Sequence, residues 1–164
     1  MNKESIISLA EAIAMPCYRL SQLSQAITLR SVMEKLCIAS LEVNAEESFD
    51  DNSYYTDYRF GSGVFIDEPG VEKAGGVTAI VDVIESMFNI EVNLTSDNPE
   101  GLDDFFSTWE FLEVLDELVS AEDIYLFNQR ESDVQLAQIT RDIDECIARD
   151  IPALENAFAE LKVV

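Results

Sequence analysis

The chain has no histidine. That absence removes His-based acid–base catalysis, Ser–His and Cys–His nucleophile activation, and the commonest transition-metal ligand. Its three cysteines, Cys17, Cys37 and Cys146, form no CxxC pair and leave one over. They point to reduced, buried, structural thiols in a cytoplasmic protein. No run approaches the roughly 18 apolar residues of a membrane-spanning helix. The N-terminal MNKESIISLAEAIAM carries Glu11 inside its apolar part and reads as an amphipathic helix rather than a signal peptide.

Positive charge is scarce. Ten Lys and Arg face 33 Asp and Glu, a net charge of −23 at pH 7. Electrostatic binding to nucleic acid or to an anionic membrane needs the opposite sign. The expected partners are therefore basic surfaces, attracted over about a Debye length. The charge is also regional. Residues 1–41 carry +1 and residues 42–164 carry −24, whereas adaptation to high salt would spread acids over the whole surface. Between Lys73 and Arg130 lie 56 residues with 13 acids and no base.

What the chain does contain is enough apolar material, 48 % of its residues, to build a core; a disordered acidic tail lacks it. One domain is expected over 1–164, with a near-neutral helical region to residue 41 and a strongly acidic remainder. Pro16 is expected to separate two helices, the second lined by Leu20, Leu23, Ile27, Met33, Leu36 and Leu41. In 44–76, YYTDYRF and GVFID flank a Gly-Ser-Gly turn signal and predict a hairpin. Neither phosphate-binding glycine pattern is present there. Val77, Ile80, Val81, Ile84, Met87 and Phe88 mark one helix that Asn89 can end. IEVNL then alternates like a strand. A further helix is expected through Ile143, Cys146 and Ile147, and Asp150 is placed to cap a last one with Pro152 in its first turn. The predicted fold is α+β and mostly helical: five to six amphipathic helices with a small hairpin or short sheet over roughly 53–67 and 90–95.

The acidic stretch GLDDFFSTWEFLEVLDELVSAED, residues 101–123, holds eight carboxylates and no base. At about 100° per residue from Phe105, the apolar side chains of 111–119 fall between about 180° and 340°. Glu110, Glu113, Asp116 and Glu117 fall between about 20° and 140°. Asp103 and Asp104 are expected at the positive end of this helix. A solvated outer face accounts for such an arc in part. It does not account for the missing cations, because Glu–Lys pairs at i, i+4 add roughly 0.2–0.5 kcal/mol and like pairs subtract similar amounts. Phe106 and Trp109 project into the same arc, where they either mark the edge of the core or stand as aromatic anchors in an anionic patch.

In composition and size the chain resembles phage and mobile-element proteins that act as DNA mimics. That resemblance implies an anti-defence inhibitor that occupies the cleft of a basic nucleic-acid-binding protein without touching nucleic acid itself. The second expectation is an immunity protein or secretion chaperone that binds one basic toxin or effector through shape and aromatic anchors. An acidic enzyme is a third, and no motif supports it: neither DDNSYYTDYRFG nor SDNPEGLDDFFS fits a calcium loop, and Glu160-Leu161-Lys162 sits in a predicted helix rather than a strand. No catalytic residue, metal ligand or cofactor is assigned. The candidate partner-binding residues are Asp97, Glu100, Asp103, Asp104, Glu110, Glu113, Asp116, Glu117, Glu122 and Asp123, with Phe106 and Trp109. Residues 1–41 are a candidate homodimer surface, free of the self-repulsion elsewhere.

Overall fold

The computed structural model describes residues 3–61, 63–130 and 136–163, with the side chains at 5–10, 12, 13, 130, 136–142 and 161–163 outside that description. It is a mostly α-helical α+β fold with seven helices and two small antiparallel sheets among the described residues. In chain order these are α1 (Lys3–Leu36), β1 (Ile38–Ser40), β2 (Val43–Asp50), β3 (Ser53–Phe60), β4 (Phe65–Ile66), α2 (Glu68–Lys73), α3 (Val77–Phe88), α4 (Pro99–Phe106), α5 (Trp109–Leu118), α6 (Ala121–Arg130) and α7 (Leu136–Val163).

Helix α1 is the spine. Leu23, Ala26, Leu29, Met33 and Leu36 recur at three- to four-residue spacing and are all buried. They pack against α3, α6 and α7. Pro16 does not divide the helix as expected; it lies inside it. A proline costs about 3 kcal/mol in a helix interior through one lost hydrogen bond and a clash, and the long buried face that follows offsets that local loss. Helix α7 is likewise continuous across Pro152. Asp150 is therefore no cap: it is buried and bonded to Arg149 at 2.9 Å. On the last turns Leu154 is half-buried and Phe158 exposed.

The β elements pair differently from the expectation. YYTDYRF runs back against β2, with Phe49 opposite Tyr54 and Val43 opposite Phe60. The turn is Asp51-Asn52, with φ of 36° and 76°, the two left-handed positions that a tight two-residue hairpin loop requires. Asp and Asn tolerate that region because their short side chains bond locally. Beyond Gly61 the chain returns as β4 to pair with β1. The IEVNL segment joins neither sheet, which corrects the strand expected over 90–95.

The acidic stretch is spread over three helices, not one. Helix α4 ends at Phe106, and Thr108 begins α5 by accepting the Phe111 N–H on its hydroxyl at 3.3 Å. The break resets the angular phase, so Phe106 turns inward and is fully buried, 4.8 Å ring to ring from Phe111. Phe88 and Phe105 complete this aromatic core at 5.9 and 5.8 Å from Phe111.

Candidate functional site

Four helices, α3 to α6, carry the base-free segment, and the last three are capped in the same way. Asn98 accepts the Glu100 N–H at 3.1 Å, Thr108 accepts that of Phe111, and Ser120 accepts that of Asp123 at 3.2 Å. Glu100, Glu110, Glu122 and Asp123 then fall in first turns. There a carboxylate gains about 0.3–1 kcal/mol from the helix dipole. Local helix physics thus accounts for those four acids without a partner.

The other candidate acids divide. Asp97 is exposed, and Asp104 is exposed and accepts a hydrogen bond from Thr95 Oγ1 at 3.2 Å. Asp103 and Asp104 lie in the second half of α4, not at the start of a longer helix, which corrects the dipole role expected for them. Asp103 is half-buried, its Oδ1 shielded and without a hydrogen-bond partner. Asp116 faces the hairpin rather than open solvent alone. Burial pushes its carboxyl above the ordinary aspartate value, the Phe60 backbone N–H and the Arg59 charge draw it down less strongly, and Asp57 raises it again. What remains on α5 is Glu113 and Glu117, which with Glu110 at the helix start form a row of exposed acids.

Trp109 opens the same helix one turn before Glu113 and is 71 % exposed. Phe106, its expected companion, is in the core and cannot serve as a surface anchor. Phe111, Leu115 and Val119 fill the buried arc as the periodicity predicts, while Leu118 at its edge is 44 % exposed. Ion pairs among the described residues join Arg30 to Asp144, Arg59 to Asp57 and Arg149 to Asp150. None of the described pairs includes an acid of residues 74–129, so the α5 row has no counter-ion among the described residues.

A second surface was not drawn from the sequence. Along one face of the hairpin, Ala45 and Tyr58 pack toward α6, where Tyr58 and Tyr125 lie 5.4 Å apart. Further out on that face Phe49 and Tyr54 meet edge to face at 5.4 Å, and both are exposed, Phe49 by 78 %. Tyr55, opposite Ser48 on the other face of the hairpin, is exposed too. A hydrogen bond to Glu47 pushes the Tyr54 hydroxyl above its ordinary value. The signal for this tip lay in SFDDNSYY, where Asp-Asn is a turn pair between two β-capable runs.

Concavity is modest. A cleft of about 500 Å³ is lined by Met33, Glu34, Cys37, Asp67, Gly70 and Lys73. Cys37 ends α1 in the left-handed conformation, φ 55°. Burial, and then Asp67, push its thiol up, which opposes formation of the thiolate a nucleophile needs. No group of three or more His, Cys, Asp or Glu side chains gathers as a metal site among the described residues. No described helix is long and apolar enough to cross a membrane. Compared with known proteins, the chain matches no family model, no curated protein and no solved structure.

Proposed function

We propose that the chain is an acidic protein-binding inhibitor that imitates nucleic-acid charge and blocks a basic nucleic-acid-binding protein. The observation that supports this most is the exposed row of Glu110, Glu113 and Glu117 beside Trp109, with no counter-ion among the described residues. Along the helix these acids rise by about 4.5 and 6 Å at 1.5 Å per residue, while each DNA strand offers a charge about every 3.4 Å. On this reading the exposed Asp97, Glu100 and Asp104 add to the anionic surface. Trp109 supplies an apolar anchor of the kind that dominates binding energy. The role is binding rather than catalysis, in a cytoplasmic setting that suits three free cysteines, and a phage or mobile-element anti-defence factor fits it. A homodimer through residues 1–41 belongs to the same proposal. The face from Leu23 to Leu36 is spent on the core, so that contact falls to the exposed Met15 and Tyr18.

A second reading, an immunity protein or secretion chaperone for one basic toxin or effector, is favoured by the exposed Phe49, Tyr54 and Tyr55. Shape and aromatic contact would then outweigh charge spacing. Replacing Glu110, Glu113 and Glu117 together by Lys separates the two. With helix content unchanged by circular dichroism, capture of the partner from cell extract should be abolished if charge carries binding. Capture at the wild-type level by the triple variant would overturn the charge-mimic reading.

A further inference from the structure

Residues 90–94 behave as a strand without a sheet. Ile90, Val92 and Leu94 pack against the core while Glu91 and Asn93 are exposed, the two-residue period of an extended chain. Asn89, in the left-handed conformation with φ 53°, reverses the chain after α3. Val92 and Leu94 consequently line a cleft of about 200 Å³ with Val77, Thr78 and Val81, and Asp97 stands in its wall. No hydrogen bond takes up the backbone N–H and C=O groups of 90–94 among the described residues. An uncovered row of such groups is a template for another strand.

We propose that residues 90–94 are a docking edge for an extended, cationic segment of the partner protein. That segment adds as a β-strand and places one Lys or Arg side chain in the adjacent cleft. The backbone row supplies ladder hydrogen bonds, and the side-chain slot supplies selectivity, as in other strand-addition sites. Val77, Val81, Val92 and Leu94 offer an apolar wall for the aliphatic stem, and the exposed Asp97 offers a carboxylate for the charged head. The charges nearest the edge in sequence, Glu91 and Asp97, are both negative, and no base occurs anywhere in residues 74–129. A second copy of the chain would bring the same excess of acid to this edge, so a basic partner is the occupant that the charge selects. The inference rests on the proposed preference for a basic partner but needs no imitation of phosphate spacing.

The test uses the full chain and capped peptides of alternating Val and Lys, free or N-methylated on one or the other set of alternate amides. Binding is read from amide NMR shifts and from titration. The free peptide is expected to shift the amides of 91–94 and to bind at least about tenfold more tightly than one of the methylated forms, since two or three ladder hydrogen bonds are lost. Asp97→Asn should weaken the free peptide by about two- to fivefold, the range of an exposed ion pair. Equal affinity of all three peptides overturns strand addition while leaving a charge-driven contact intact, and no binding by any peptide overturns it too. The phosphate-mimic proposal fails on a different result, the retention of its partner by the triple-Lys variant of α5.

Discussion

Arg59 folds back onto Asp57, with its Nη2 and Nε at 2.6 and 2.7 Å from the same carboxylate oxygen. The two stand two residues apart on one face of β3, and Glu46 lies directly across from Asp57 on β2. Like charges placed opposite each other on a sheet destabilise it, and one guanidinium serves the pair. Asp116 of α5 feels the charge of the same cation. The hairpin is thereby tied to the acidic helices through one base shared among three carboxylates, with surplus negative charge left at the contact.

That surplus has a consequence for pH. The folded pKa of Asp116 is raised, chiefly by burial, so the native state holds more protons than the unfolded one in a window that opens above the free value of 3.8. Stability from this group is present below the window and falls as pH rises through it. Asp116→Asn should therefore raise the melting temperature at pH 7 by a small amount, of the order of 1–2 °C for so exposed a group. The gain over wild type should vanish near pH 4. Thermal melts of both proteins from pH 4 to 7 check this, and a variant less stable than wild type at pH 7 would reverse the sign assigned to Asp116.

Thr108 holds the junction of α4 and α5 from both sides, accepting the Phe111 N–H and donating to the Phe105 carbonyl at 2.7 Å. Thr108→Ala should cost about 1 kcal/mol, and Thr108→Ser should restore most of it. Urea midpoints of the three proteins, compared at constant slope, are the measurement. A loss near zero would mean that the packing of Phe105, Phe106 and Phe111 alone sets the break.

The same junction marks the boundary of what was legible from sequence. Periodicity is sufficient for Ile80 and Ile84 of α3, for Asn89 as its stop, and for Phe111, Leu115 and Val119, because one buried face repeats without interruption. It fails at Phe106, because a two-residue break shifts the phase of everything before it. The hairpin is foreseeable as an element but not in its direction: Gly-Ser-Gly is the louder turn signal, and Asp51-Asn52 is the one used. Pro16 and Pro152 read as boundaries because a local rule ignores the tertiary packing that carries a helix across them. IEVNL has the correct period and packs as a strand should, yet a strand needs a neighbour that the alternation of side chains cannot name.

Of the acids singled out by composition, four are explained by helix starts, one by the hairpin and one by a threonine; charge counts alone cannot separate these from Glu113 and Glu117, which with Glu110 make the open row on α5. That row is where the central claim stands or falls, and competition by duplex DNA tests it most directly. Protein retained from cell extract on the immobilised chain at low salt should be released by short duplex DNA at a constant ionic strength. It should also fail to be retained at high salt, since charge-steered association weakens as ions screen it. Retention that resists both duplex DNA and salt would contradict the imitation of nucleic-acid charge and leave the aromatic hairpin as the surface that binds.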